Sequence, residues 1–148
     1  MKTINLLEPD ISNIEKKELW RAIKNNYIST YGNISKEAKN KIIKLTNCKH
    51  VELSNSGSAA LLLAIKSLNL KKEELIITSN YTFIATINSI IHSGHKPWIF
   101  DVEDKYLSIN SENLENTLKK ETYLRSDGIY HKKLNKRVSS IIIVFFAG

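Results

Sequence analysis

Apolar residues recur three or four positions apart in several parts of the chain, and this spacing is typical of amphipathic helices. It predicts five helices. Their positions are residues 14–24, residues 34–47, the stretch that follows Gly57, the stretch between residues 80–82 and Gly94, and residues 111–120. In the third of them the apolar side is formed by Ala60, Leu61, Ala64, Ile65 and Leu68.

Shorter apolar runs between these helices predict four strands, and one long polar segment is predicted to be irregular. The strands are residues 50–53, 74–79, 96–102 and 138–146, and the irregular segment is residues 121–137. Strands that alternate with helices imply right-handed crossovers. We therefore expect an α/β fold with a mostly parallel sheet and helices on both faces.

The chain is expected to form a single partial domain, residues 1–148, with a helical segment at 1–49 and a strand-and-helix part at 50–148. Its last predicted strand is also its most apolar one. Such a parallel strand needs cover on both faces, and the sequence ends two residues later, at Gly148. The sheet is therefore expected to be incomplete and to continue in a partner chain or in further sequence.

Polar stretches follow three of the predicted strands, at residues 54–58, 79–83 and 101–104. Ligands of parallel sheets bind beyond the carboxyl ends of the strands. The first stretch turns through Gly57 into a helix, and the unpaired N–H groups and positive dipole at a helix start favour an anion. Two interpretations stay open: a phosphate-binding turn, or an ordinary turn that caps a core helix.

Composition is that of a globular domain, with 42% apolar and 25% charged residues. No apolar run approaches the roughly 20 residues of a membrane span, and no secretory leader is visible. The single cysteine, Cys48, excludes an internal disulfide and suits a reducing compartment, so a cytoplasmic location is expected. Without a base beside it, Cys48 is expected to be a buried residue with no catalytic role.

The net charge is +7, from 22 Lys and Arg against 15 Asp and Glu, which is compatible with a nucleic-acid or phosphate-rich partner. The lysines are spread along the chain, however. The one local cluster, residues 132–137, lacks interleaved aromatic residues for base stacking. A solvated basic surface is the favoured interpretation, and no nucleic-acid or membrane partner is expected.

Neither metal chemistry nor a serine triad is indicated. The four histidines lie on different predicted elements, and His92 and His95 have no third ligand in view. No GxSxG nucleophile motif occurs.

Four segments of the chain match the motifs of one enzyme family. Residues 27–32 (YISTYG) resemble Trp-(Ile/Val)-Ser-x-x-Gly, and residues 56–61 (SGSAAL) are similar to Asn-Gly-Thr-Ala-Ala-Leu. Residues 82–90 (TFIATINSI) match TFxATxNxI, and residues 94–102 (GHKPWIFDV) match Gly-x-x-Pro-x-x-x-Asp-Val. This ordered set resembles the DegT/DnrJ/EryC1/StrS aminotransferases, which are pyridoxal-phosphate (PLP) enzymes that aminate keto-sugar nucleotides.

The resemblance implies a fold-type-I architecture, with this chain as the amino-terminal part of the large domain, and PLP as the cofactor. It also implies roles for particular residues. Those implied to hold the cofactor are Gly57, Ser58 and Ala59 at its phosphate and Phe83 on its ring, and those implied to face the nucleotide sugar are Thr30, Tyr31, Thr86 and Asn88. For Phe83 the alternative is core packing on its helix. Asp101 and Pro97 are expected to be structural.

The sequence also departs from the family pattern. The Schiff-base lysine and the aspartate that pairs with the pyridinium nitrogen would lie beyond the point that matches Gly148, so no catalytic residue is assigned in this chain. Residues 144–148 (VFFAG) lack the histidine of the family's Val-His-x-(Phe/Tyr)-Gly. The chain is thus expected to be inactive alone, as a truncated product or a fragment. The spacer at residues 122–137 is similar to that of the legionaminic-acid subgroup.

Three hypotheses remain open at this stage. The first is an aminotransferase that passes an amino group, from glutamate by analogy with the family, to a keto-sugar nucleotide and is a homodimer at full length. The second is a non-catalytic remnant that pairs with a full-length homologue through its last strand. The third is an independent α/β module that binds a phosphate or a nucleotide.

Overall fold

The structure, a computed structural model, describes residues 8–29 and 32–145 of the chain. It divides into two compact units, Met1–Leu53 and Ser54–Gly148. Thr30 and Tyr31, for which the resemblance implies a substrate-facing role, lie outside the described residues, as does the end of the last predicted strand from Phe146 on.

The first unit contains helices α1 (Asn13–Lys24) and α2 (Asn33–Thr46), as the apolar spacing predicts. A capping box begins α1. The Ser12 hydroxyl accepts the N–H of Ile14 at 3.0 Å, and the Ser12 N–H donates to the Glu15 carboxylate at 2.8 Å. These bonds satisfy polar groups that a helix start leaves unpaired. The hydrogen bond with the Ser12 side chain is also the main reason that the pKa of Glu15 lies below its usual range.

Two expectations for this unit are wrong. The predicted strand at residues 50–53 forms no ladder with any described residue, and only Val51 in it is partly buried. A short run in which apolar and polar residues alternate only weakly forms a strand only where a neighbouring strand can pair with it. Cys48, expected to be buried, is exposed, because it lies just past the end of α2.

The second unit is an α/β structure, as expected. Its elements are α3 (Gly57–Ser67), β1 (Leu75–Ser79), α4 (Ile84–His92), β2 (Lys96–Phe100), α5 (Ser111–Glu121), β3 (Thr122–Arg125), β4 (Gly128–His131) and β5 (Arg137–Ile141). The sheet order is β2-β1-β5-β4-β3. Strand β1 pairs in parallel with both β2 and β5, which confirms the predicted parallel centre, whereas β4 pairs antiparallel with β5 and β3.

The hairpin of β3 and β4 lies where the sequence was interpreted as irregular, so that prediction is wrong. A two-residue turn at 126–127 joins the strands, with Arg125 opposite Gly128. On this hairpin the Arg125 guanidinium lies 5.0 Å from the ring centre of Tyr123 and 4.3 Å from that of Tyr130. The many charged residues conceal the alternation of apolar and polar positions, and the turn residues Ser126 and Asp127 are not one of the dipeptides typical of two-residue hairpins.

Strand β5 is shorter than predicted. It ends at Ile141, and one further bond extends the pairing, from the N–H of Ile142 to the carbonyl of Ile77 at 2.8 Å. Of the predicted strand at 138–146, residues 142–145 lie beyond the ladder.

The core of the second unit joins β1 to two helices. Ile76 of β1 packs with Ile65 of α3 and Ile90 of α4, and each exposes at most 4% of its surface. Every residue of β1 is buried. Burial of these side chains fixes α3 and α4 side by side on the sheet, and both helices carry residues of the candidate site.

Candidate active site at the start of two helices

Helix α3 begins with a serine cap. The Ser56 hydroxyl accepts the N–H of Ala59 at 3.2 Å, and the first intrahelical bond runs from the N–H of Ala60 to the Ser56 carbonyl at 3.0 Å. The N–H groups of Gly57 and Ser58 precede that bond, so the helix itself gives them no partner. This start therefore has two backbone donors and the positive end of the helix dipole for an anion.

Gly57 leaves open space at this turn, and its backbone conformation does not itself require a glycine. Its φ is not in the left-handed region, and a Cβ built on it would meet no atom within 4 Å. The first turn of α3 is thus open at the position where a side chain would otherwise project. An open helix start allows a phosphate group to approach the backbone closely.

Phe83 caps helix α4 and is exposed. Its backbone is extended, α4 begins at Ile84, and 78% of the residue is accessible. Phe83 is therefore not part of the core that the described residues form. A large aromatic ring in such a position provides a flat apolar surface for a ligand.

One cavity joins the two helix starts. It has a volume of about 320 Å³. Four residues that the resemblance implicates, Ser58, Ala59, Phe83 and Asn88, line it together with Leu62, Ile84, Ala85, Ser89 and His92. Residues that are 25 positions apart in sequence are thus brought together by the packing of α3 beside α4. The convergence of strand ends does not account for Ser58, because the predicted strand before residue 54 does not form.

Phe83 also lines a second cavity of about 460 Å³, together with Asn80, Tyr81, Thr82 and Val144. This cavity lies at the carboxyl ends of β1 and β5, whose last residues are Ser79 and Ile141. The Phe83 ring therefore borders space on the helix side and on the strand side.

Thr86 lies apart from these cavities. It is 6% exposed, and its hydroxyl oxygen lies 2.9 Å from that of Thr82. The bond fixes the start of α4 to the residue before Phe83. The substrate-facing role that the resemblance implies for Thr86 stays a prediction, as do those of Thr30 and Tyr31.

Sequence reasoning gave no ligand-binding role to three residues beside the site: Asn80, Asp101 and Val144. It placed residues 79–83 and 101–104 at the ligand-binding edge but interpreted Asp101 as structural. Asn80 and Asp101 each follow directly on a strand, and the Asn80 amide donates to the Asp101 carboxylate at 2.6 Å. The signal was present, because a polar residue just past a buried parallel strand lies at the ligand-binding edge.

Within residues 8–29 and 32–145, no three His, Cys, Asp or Glu side chains come together as a metal site requires. No helix among these residues has both the length and the apolar character to cross a membrane.

Comparison with known proteins decides the family. The model of the DegT/DnrJ/EryC1/StrS aminotransferase family matches residues 9–148. The chain belongs to this family. Among curated relatives of this family member, the GDP-perosamine synthase of Vibrio cholerae is 24% identical over 119 residues, which are 80% of this chain and 32% of that protein.

Solved structures share the fold of this family member. The X-ray structure of the aminotransferase from Psychrobacter cryohalolentis aligns over 95% of this chain and 32% of that chain, with a TM-score of 0.76 and 21% identity. The E. coli GDP-4-keto-6-deoxy-D-mannose-3-dehydratase with bound hydrated PLP aligns over 86% and 33%, with a TM-score of 0.71 and 22% identity. The chain thus spans about a third of the length of these proteins.

Proposed function

We propose that this chain forms the part of a sugar-nucleotide aminotransferase that holds the phosphate and the ring of PLP. The observation that carries the proposal is the single cavity shared by the start of α3 and the exposed ring of Phe83. Membership of the aminotransferase family supports it. The substrate class is a keto-sugar nucleotide, and the amino donor is an amino acid, with glutamate as the family suggests.

The residues present fit this cofactor. A phosphate dianion requires several N–H donors and no nearby carboxylate, and the start of α3 has two N–H groups before its first intrahelical bond and the Ser58 hydroxyl. The pyridine ring requires a flat apolar surface, and Phe83 has one. Open space at Gly57 allows the phosphate to approach the backbone.

Each residue then has a defined role. Gly57 and Ser58 bind the phosphate at the helix start, and Ala59, whose N–H is bonded to the Ser56 hydroxyl, lines the cavity beside it. Phe83 orients the ring and excludes water from one of its faces. When bound, PLP supplies the electron sink that amino-group transfer requires. The residues proposed to face the nucleotide sugar are Thr30, Tyr31, Thr86 and Asn88.

Finer assignments belong to the same proposal. The hairpin β3–β4 occupies the spacer that is similar to the legionaminic-acid subgroup, so we propose a nonulosonic-acid precursor as the sugar. A homodimer of the full-length protein in the cytoplasm is the expected setting.

The decisive experiment is a titration of the purified chain with PLP, followed by the absorbance and circular dichroism of the bound cofactor, with inorganic phosphate as a second ligand. Ser58→Ala is expected to weaken both ligands, because it removes a donor from the shared anion position. Phe83→Ala is expected to weaken PLP alone. Matched controls are Ser67→Ala, at the other end of α3, and Tyr106→Ala, an aromatic residue that is 61% exposed.

The possible results separate the hypotheses. Binding of phosphate with no preference for PLP would favour the independent phosphate-binding module. Absence of both ligands from the unaltered chain, or equal loss in the control variants, would overturn the proposed site.

A further inference from the structure

A hydrogen bond between the side chains of Asn80 and Asp101 joins the ends of two neighbouring strands, close to the loop that leads to Phe83. Asp101 follows β2 and Asn80 follows β1. The Asn80 side-chain amide donates to the Asp101 carboxylate at 2.6 Å, and the Asn80 N–H donates to the carbonyl of Phe100 at 2.8 Å. The same Asp101 oxygen accepts the N–H of Val102 at 3.0 Å. The Asp101 side chain is therefore fixed by the backbone of the next residue, Val102, while it binds Asn80.

The loop between this pair and α4 is short and fixed at both ends. Only Tyr81 and Thr82 separate Asn80 from Phe83. On the strand side the loop is tied by the Asn80–Asp101 pair, by the Asn80 N–H bond to Phe100, and by the Ser79 hydroxyl, which donates to the Tyr81 carbonyl at 3.2 Å. On the helix side it is tied by the hydroxyls of Thr82 and Thr86, 2.9 Å apart. Beside these attachments the Phe83 ring makes few contacts of its own, since 78% of the residue is exposed.

Because few neighbouring side chains contact the exposed ring of Phe83, its position depends on the backbone of the loop that carries it. Loss of one attachment therefore changes where the ring lies, even where the fold remains intact. A hydrogen bond with one charged partner is stronger than a neutral one, which suits Asp101 to hold such a loop.

We propose that Asp101 is a positioning residue for the ring of the bound cofactor, and that it acts through Asn80 on the loop that presents Phe83. The inference rests on the proposed function, because it concerns the ring that Phe83 is proposed to contact. It assigns to Asp101 a role beyond that of a strand end. The phosphate-binding start of α3 is independent of this pair, since its bonds involve residues 54–60 alone.

The test compares Asp101→Ala with Asp101→Asn and with Glu103→Ala. Glu103 is the matched control, because its carboxylate also accepts a side-chain amide, that of Asn110 at 2.9 Å, and lies two residues away in sequence. The affinities for PLP and for inorganic phosphate are measured for each chain, with the thermal unfolding midpoint. Hydrogen exchange of the Asn80 and Thr86 amides provides a readout that needs no ligand.

Asp101→Ala is expected to weaken PLP by about threefold to tenfold, the range of a lost aromatic stacking contact. Phosphate affinity and the unfolding midpoint are expected to stay unchanged, and exchange of the two amides to become faster. Asp101→Asn retains an oxygen that can accept from Asn80, so it is expected to restore most of the affinity. Glu103→Ala is expected to resemble the unaltered chain.

Three results would overturn the inference. Equal PLP affinity in Asp101→Ala and the unaltered chain would leave the proposed function standing and remove the role of Asp101. Parallel loss of phosphate binding or of the folded state would make Asp101 a merely structural residue. Failure of the unaltered chain to bind either ligand would overturn the proposed function, and this inference with it.

Discussion

The Ser56 hydroxyl oxygen lies 3.2 Å from the backbone nitrogen of Ala59 and accepts its N–H at the start of α3. Ser54 supports the same turn, because its hydroxyl donates to the Ser56 carbonyl at 2.9 Å. Ser58, by contrast, lines the cavity shared with Phe83. The three serines of this turn therefore have different roles, since Ser54 and Ser56 hold the turn and Ser58 is available to a ligand.

The first prediction follows from this division. Ser56→Ala removes the helix cap and is expected to lower the free energy of unfolding by about 1 kcal/mol, and Ser56→Gly by only a few tenths of that. Ser58→Ala is expected to leave stability nearly unchanged while it weakens phosphate binding. Urea unfolding followed by circular dichroism measures the stabilities. Equal destabilisation by the two alanine variants would show that Ser58 is also part of the cap.

Gly57→Ala separates the two interpretations of the turn that the sequence leaves open. A Cβ at Gly57 meets no atom within 4 Å and requires no strained φ, so the variant is expected to fold with unchanged or slightly higher stability. If phosphate binds at this position, the added methyl group occupies its space and weakens phosphate and PLP. Unfolding curves and ligand titrations on the same sample give both quantities. Unchanged affinity would support an ordinary capped turn.

The sequence predicts α3, β1, α4 and β2 well, because the two helices have regular apolar spacing and the two strands are short apolar runs, of which β1 is buried throughout. The parallel pairing places Ser79 and Phe100 at one edge of the sheet. The cavity with Ser58 and Phe83 also requires α3 to pack beside α4 on Ile76, a contact between distant residues that no strand before α3 predicts. The hairpin β3–β4 was missed because its stability comes from cross-strand contacts such as Tyr123 with Tyr130, whose ring centres lie 6.0 Å apart. The Asn80–Asp101 bond joins residues 21 apart in sequence, so no local pattern predicts it.

Ile76 is fully buried and packs against both α3 and α4 in the hydrophobic core. Ile76→Ala leaves a cavity and is expected to lower the free energy of unfolding by about 2–5 kcal/mol, and Ile76→Val by about 0.5–1.5 kcal/mol. Leu124→Ala is the control, because Leu124 is 80% exposed. Calorimetry or urea unfolding checks the order of the three variants. A small effect of Ile76→Ala would mean that α3 and α4 do not depend on this contact.

The ionisation of Glu73 is expected to make the stability of the chain depend on pH. The hydrogen bond from the Lys136 ammonium, at 2.5 Å, is the main reason that the pKa of Glu73 lies below its usual range, and Lys96 adds to it. A carboxyl group whose pKa is lower in the folded state stabilises that state above its unfolded pKa. This stabilisation is lost as the pH falls through the folded pKa.

The unaltered chain is therefore expected to be more stable than Glu73→Gln near neutral pH, and the difference is expected to vanish in acid. The group is exposed, so the difference is expected to be small and to shrink with added salt. Urea unfolding from neutral pH into acid measures it. Glu115→Gln, which removes an exposed ion pair within α5, is the control for a general effect of charge. A difference that persists in acid would contradict the assignment to ionised Glu73.

Gly128, in contrast to Gly57, is required by its backbone. Its φ is +144°, and a Cβ there would lie 2.6 Å from the Nε of Arg137. Arg137 cannot move away freely, because its guanidinium lies 3.3 Å from the carboxylate of Glu74, a side chain that is 5% exposed. Gly128→Ala is therefore expected to lower the free energy of unfolding by about 1–3 kcal/mol, through backbone strain and through displacement of Arg137 from a buried partner.

A double-variant cycle separates these two causes. In an Arg137→Ala background the side-chain clash is absent, so Gly128→Ala is expected to cost less there than in the unaltered chain, and the two substitutions are expected not to add. Urea unfolding of the four chains measures the coupling. Strict additivity would mean that backbone strain alone accounts for the glycine and that Arg137 adapts without loss of its contact with Glu74. Coupling would instead show that the turn of the hairpin and the buried carboxylate of Glu74, just before β1, stabilise each other. The hairpin, which was not predicted from the sequence, would then contribute to the stability of the central strand.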